Sequence, residues 1–156
     1  MPRPKYSPGI MVWGAISYRG KSDLIIVKGT VDSVKYQEIL TKAEPKLKQL
    51  YPRGFIFQQD GARCHTSGSS MSWFATRGWQ TSEWPANSPD LNPTENAWGL
   101  MKNEVEKRKP KNLQELEAII REVWENLDLE YIKSLIESMP DRIQKCIDLE
   151  GDRTGY

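Results

Sequence analysis

Residues 10–17 (IMVWGAIS) form a mostly apolar run of strand length, with Val, Ile and Trp, and residues 23–28 (DLIIVK) form a second that Gly29 ends. The short YRGKS link between them predicts an antiparallel hairpin. From Val31 to about Tyr51 the period turns helical: Val34, Ile39, Leu40, Ala43, Leu47 and Leu50 share a stripe, with lysines on the opposite face. Pro45 inside that pattern predicts a kink or a split. Residues 55–60 (FIFQQD) are a third strand, apolar until its polar end. Residues 67–77 read as a helix carrying Met71, Trp73 and Phe74 and closed by Gly78. Residues 79–84 are a weak fourth strand, and residues 85–93, with three prolines and two asparagines, a loop.

Beyond that loop the pattern is helical throughout. Ala97, Trp98, Met101 and Val105 give one stripe over 93–108. Leu116, Ile119, Ile120, Val123 and Leu127 give another, opened by an Asn112…Glu115 capping pair. Ile132, Leu135, Ile136, Met139, Ile143 and Ile147 give a third, bent or divided at Pro140. This order of elements predicts an α/β architecture, a small mixed sheet covered by helices and followed by helical additions.

At 156 residues, 38% hydrophobic and 28% charged, the chain suits one globular domain with a real core. Its net charge of +1 argues neither for nor against a nucleic-acid partner. Cys64 and Cys146 lie far apart, which fits a reducing compartment better than a disulfide framework. His65 beside one cysteine cannot supply four zinc ligands. Residues 1–9 hold three prolines and no apolar leader, and no run approaches membrane-spanning length, so a soluble intracellular protein with no membrane partner is expected.

Two carboxylates stand out. Asp60 ends an apolar strand, where ligand sites form in open α/β sheets, although an Asp before Gly also initiates turns. Glu95 follows Asn92 and Pro93 at a helix start, where a capping box is the plainer explanation. His65 reads as a hydrogen-bonded structural group or as part of the same site. The basic run KRKPK at 107–111 could meet DNA phosphates or serve nuclear import, or could be a solvated helix end favoured by the dipole. Trp13, Trp73, Trp98 and Trp124 fall on apolar faces, whereas Trp79 and Trp84 could be core or exposed.

Taken together, QQDGARCHTS at 58–67 and SPDLNPTEN at 88–96, with 34 residues between Asp60 and Glu95, resemble two words of the mariner-type DDE transposase superfamily. MVWGAIS, IESMPDRI at 136–143 and the Gly…Thr…Tyr ending at 151–156 are similar to further segments of that family. The resemblance implies the C-terminal part of a catalytic domain with the ribonuclease H fold. It implies DNA cleavage and strand transfer (transposition, DNA integration) through three acidic residues that hold two Mg2+ ions. Asp60 would be the second of these residues and Glu95 the third. Transposon-end and target DNA would be the partners, with a possible homodimer and a nuclear location.

The resemblance also implies a first acidic residue on a strand before MVWGAIS and a helix-turn-helix region further upstream, and neither has a counterpart in the 156 residues. Asp23 and Asp32 follow that segment and are no substitute. The first strand is central in the ribonuclease H fold, so two open strand edges facing each other are expected, together with an inactive isolated chain. A non-enzymatic nucleic-acid-binding or interaction module, and a nuclease completed by a partner's carboxylate, are the competing expectations.

Overall fold

The computed structural model describes residues 10–59, 63–82 and 89–149. Asp60, Trp84, the proline-rich residues 1–9 and the 151–156 ending lie outside the described residues. The hairpin forms as expected: β1 (Met11–Trp13) pairs antiparallel with β4 (Ile25–Val27), Val12 opposite Ile26, and β2 (Ile16–Ser17) pairs antiparallel with β3 (Gly20–Lys21).

The single strand expected over 10–17 is divided at Gly14–Ala15. A Cβ on Gly14 would lie 2.5 Å from the Trp124 indole, so only glycine admits that ring against the strand. The indole Nε1 donates to the Ser22 carbonyl at 2.9 Å. Ser22 in turn exchanges bonds with Ala15: its N–H donates to the Ala15 carbonyl, and its Oγ accepts from the Ala15 N–H, both at 2.9 Å. These bonds stand in for regular ladder pairs.

Helix α1 (Ser33–Leu50) starts at Asp32, whose carboxylate accepts from the Lys35 N–H at 2.8 Å. It runs unbroken through Pro45, which is exposed, so the split anticipated there does not occur. Its buried face is Tyr36, Ile39, Leu40, Ala43 and Leu47, whereas Val34 is exposed. Strand β5 (Ile56–Phe57) follows and pairs parallel with β6 (Gln80–Thr81). Between them lie a short helix α2 (Arg63–Thr66) and α3 (Gly68–Arg77), which Gly78 closes in the left-handed conformation at φ 71°.

Three further amphipathic stretches become α4 (Thr94–Arg108), α5 (Leu113–Asn126) and the pair α6 (Leu129–Glu137) and α7 (Met139–Asp148). Asn112 caps α5 by accepting from the Glu115 N–H at 2.8 Å, while the Glu115 carboxylate reaches back to the Lys111 N–H at 2.6 Å. The last stripe breaks at Ser138, and Pro140 falls in the first turn of α7, where it displaces no helical bond.

Strand alternation sorts the core into two layers. Trp13, Ala15, Ile25, Phe55 and Phe57 pack against a cluster built on Tyr36, Leu40, Phe74 and Trp79. Ile10, Val12, Ile16, Leu24 and Ile26 pack against the other, built on Met101, Ile120, Trp124 and Ile132. Successive side chains of a strand point to opposite faces, so helices α1 and α3 cover one face and α4, α5 and α6 the other. Trp79 is core, its Nε1 bonded to the buried Glu44 carboxylate at 2.7 Å.

The strands do not join into one sheet. β1–β4, β2–β3 and β5–β6 are separate pairs among the described residues. Between residues 13–18 on one side and 54–59 on the other lies a cavity of about 550 Å3. Both segments line it, and no ladder joins β1 to β5 among the described residues.

Candidate functional site

Glu95 sits in the first turn of α4, exposed, and lines the cavity together with Gln58, Gln59 and His65. A carboxylate there is favoured by the positive end of the helix dipole. The local geometry departs from the capping box expected from the sequence. The side chain of Asn92 accepts from the Thr94 N–H at 3.1 Å, and the Glu95 N–H donates instead to the Asn92 backbone carbonyl at 3.1 Å. Pro93 thus takes the cap position that the sequence suggested for Asn92.

The segment leading to Asp60 is fixed on both sides, although Asp60 itself lies outside the described residues. Gln58 Nε2 donates to the Leu91 carbonyl at 3.1 Å, which joins the end of β5 to the 3-10 turn Pro89–Leu91 just before α4. Gln59 Oε1 accepts from the Tyr36 hydroxyl at 2.5 Å, and its Nε2 donates to the His65 carbonyl at 3.2 Å. The His65 ring stacks on Tyr36 with centroids 4.1 Å apart. Its contacts thus lie with the wall of the site.

Arg142 lies in the IESMPDRI segment, but the sequence did not single it out as a site residue. It is 1% exposed, and its guanidinium donates to Ser138 Oγ at 2.8 Å, to the Asp90 carbonyl at 3.3 Å and to Asn96 Oδ1 at 2.9 Å. One side chain therefore ties α7 both to the 3-10 turn and to the residue after Glu95. No periodicity marks it, because it replaces an apolar residue on the buried side of α7 while Ile143 and Ile147 turn outward at 40% and 64% exposure. The stripe expected through Ile143 and Ile147 is corrected accordingly: the break at Ser138 resets the helix phase.

The basic run at 107–111 is partly neutralised. Arg108 bonds Glu122 at 2.6 Å and Glu104 at 3.1 Å, and Lys107 lies 3.7 Å from Glu104. The Arg108 hydrogen bond and charge hold the Glu122 carboxyl below the usual carboxylate range. Among the described residues no group of three or more His, Cys, Asp or Glu side chains could hold a metal ion. No helix of the described residues is long and apolar enough to cross a membrane.

Strands flanked by helices on both faces, with a strand end tied to the turn before α4, make this an α/β protein, and the match to solved structures gives it the ribonuclease H-like fold. The catalytic domain of Mos1 mariner transposase superposes with a TM-score of 0.81 at 23% identity, covering 92% of this chain and 74% of that one. The mariner Mos1 paired end complex with Mg superposes at 0.83 and 22% identity, covering 97% of this chain and 47% of that one.

At the level of sequence, the family model described as DDE superfamily endonuclease matches residues 3–117. The transposable element Tcb1 transposase of Caenorhabditis briggsae is 34% identical over 157 residues, which takes in 99% of this chain and 58% of that protein. The chain belongs to the DDE superfamily endonuclease family. It spans 46% to 58% of the length of the Caenorhabditis transposases it matches.

Proposed function

We propose that this chain is the catalytic part of a transposase that cleaves transposon-end DNA and transfers the strand to target DNA, with Asp60 and Glu95 as two of its metal-binding carboxylates. The observation that supports this most directly is the Gln58 bond to the Leu91 carbonyl. It fastens the residue two before Asp60 to the residue four before Glu95. The donor chemistry fits Mg2+, a hard cation that favours carboxylate oxygens. In such sites two divalent ions roughly 3.5–4 Å apart activate the attacking oxygen and stabilise the leaving one.

The chain's own residues bind and orient. Glu95 stands in an exposed helix turn held by Asn92, and Gln58 and Gln59 fasten the residues just before Asp60. These 156 residues supply two of the three carboxylates that the resemblance implies. Two negative charges compensate two dications poorly, so the isolated chain is inactive on this reading. Homodimer formation and a nuclear location belong to the same proposal.

A magnesium-dependent nicking assay compares this chain with a version extended upstream by an acidic strand. The expected result is activity only in the extended form, lost again with Glu95→Ala. Activity of the short form that Asp60→Ala abolishes would overturn the inactive reading and point to a carboxylate from another chain.

A further inference from the structure

Acidic and basic residues are unevenly spread along this chain. Between Glu44 and Glu83 the sequence holds five cations, Lys46, Lys48, Arg53, Arg63 and Arg77, against the single carboxylate of Asp60. The net charge of +1 therefore conceals a basic stretch that acidic residues elsewhere offset. The fold gathers three of these cations at one place. Helix α1 ends at Leu50 and α3 at Arg77, and each leads directly into a strand of the parallel pair β5–β6. There Lys48, Arg53 and Arg77 line a surface hollow of about 610 Å3 that has no acidic side chain in its lining among the described residues. The hollow lies at the starts of β5 and β6, whereas Gln58 joins the other end of β5 to the turn before Glu95.

Cations near helix C-termini have a plain explanation, since they complement the dipole. The bonds at these two ends show that the task is already met. The Leu50 carbonyl accepts from Arg19 Nη1 at 3.1 Å, and the Leu47 carbonyl from the Tyr51 N–H at 3.0 Å. At α3, the Gly78 N–H serves the Ala75 carbonyl and the Trp79 N–H the Phe74 carbonyl. Arg53 stands beyond α1 altogether, in the turn that the Gly54 N–H closes on the Tyr51 carbonyl at 3.0 Å. It is exposed and pairs with no carboxylate among the described residues.

Arg77, by contrast, is fixed in place. The buried Glu44 carboxylate accepts from its Nη1 at 2.9 Å and from Trp79 Nε1 at 2.7 Å, and the guanidinium lies 5.3 Å from the centre of the Trp73 ring. Its side chain is still 40% exposed, so further N–H donors remain for an anion. The exposed residues of α3 beside it, Ser69, Ser72 and Thr76, are uncharged, and no carboxylate on that helix repels a polyanion.

We infer that this hollow is a binding site for the phosphodiester backbone of nucleic acid, separate from the place of the carboxylates. A guanidinium held in one orientation suits the paired oxygens of a phosphate, and the flanking Lys48 and Arg53 suit its neighbours along the strand. Such contacts position a duplex and read no bases, so binding is indifferent to sequence. The choice of nucleic acid over an acidic peptide rests on the DNA reading proposed above, while the position of the site rests on charge and geometry.

The test follows a labelled duplex by fluorescence anisotropy in EDTA, where metal binding plays no part, so a negative nicking assay leaves its outcome untouched. The full chain is compared with Lys48→Gln/Arg53→Gln and with Lys109→Gln/Lys111→Gln as a control for the other basic run. All four side chains are exposed, so neither melting point should move appreciably. At about 50 mM salt the first variant should bind about tenfold or more weakly, and its slope of log affinity against log salt should be shallower by roughly 1.8, about 0.9 for each lost contact. The control pair should stay within about twofold of the native chain. Unchanged affinity and slope in Lys48→Gln/Arg53→Gln, an equal loss in the control pair, or no salt-dependent binding of the duplex overturns the inference. Displacement of the duplex by polyglutamate more readily than by a polynucleotide of equal charge overturns it in favour of an acidic peptide.

Discussion

Replacing Arg142 tests how the start of α4 is held. The guanidinium is 1% exposed and makes hydrogen bonds of 2.8, 3.3 and 2.9 Å to Ser138, Asp90 and Asn96. Hydrogen bonds to charged groups contribute ~1.5–3 kcal/mol each, and the longest of the three adds little. Arg142→Met keeps most of the side-chain volume but leaves the Asp90 carbonyl and the Asn96 amide oxygen without this donor. After allowing for the guanidinium's own desolvation, the expected loss is about 3 kcal/mol. In a domain of this size 1 kcal/mol moves Tm by roughly 2–4 °C, so the melting point should fall by about 6–12 °C. Arg142→Lys offers one compact ammonium that can reach only one of the two distant acceptors, and it should recover about half. Urea unfolding followed by circular dichroism measures both variants, and hydrogen exchange locates the effect. Exchange should rise first in 94–98. A loss below ~1 kcal/mol, full rescue by lysine, or a uniform rise in exchange across α5 as well would refute the argument.

Glu44 is a second buried anchor, bonded to Trp79 Nε1 at 2.7 Å and to Arg77 at 2.9 Å, and Glu44→Ala should cost about 2 kcal/mol by orphaning the indole N–H, with Glu44→Gln milder in the same urea titration. For Glu122, Arg108 depresses the folded-state carboxyl below its ordinary 4.5. The pair therefore stabilises above pH 4.5 and loses that contribution as pH falls through the lower folded value, so native protein and Glu122→Gln should differ at neutral pH and converge in acid. With a net charge of +1 and a basic run partly paired to Glu104 and Glu122, the chain should bind duplex DNA weakly and without sequence preference, and binding should fall with salt; tight binding to one sequence in a fluorescence titration would contradict this.

Elements whose signal is local were legible in the sequence. The stripes of α4 and α5, the caps at Asn112 and Gly78, and the antiparallel hairpin follow from neighbours within a few residues. What was missed depends on distant partners. The strand over 10–17 breaks because Trp124, more than a hundred positions away, occupies the face of Gly14. Pro45 leaves α1 intact because it faces solvent beside a strongly buried stripe. The phase of α7 depends on Ser138, and nothing nearby says that Arg142 and not Ile143 turns inward. At the proposed site, the words around Asp60 and Glu95 suggested the carboxylates, but the bonds beside them come from Gln58 and Arg142, which lie inside QQDGARCHTS and IESMPDRI without any local signal of their partners.

Those bonds also divide the site into a stiff half and an open half. The turn before Glu95 is attached three ways: to β5 through Gln58, to α7 through Arg142, and to itself through Asn92. The strand end that precedes Asp60 is attached by side chains alone on the cavity side, because its backbone edge there pairs with nothing among the described residues. Filling the cavity would therefore act first on residues 54–59 and would leave α4 nearly unchanged.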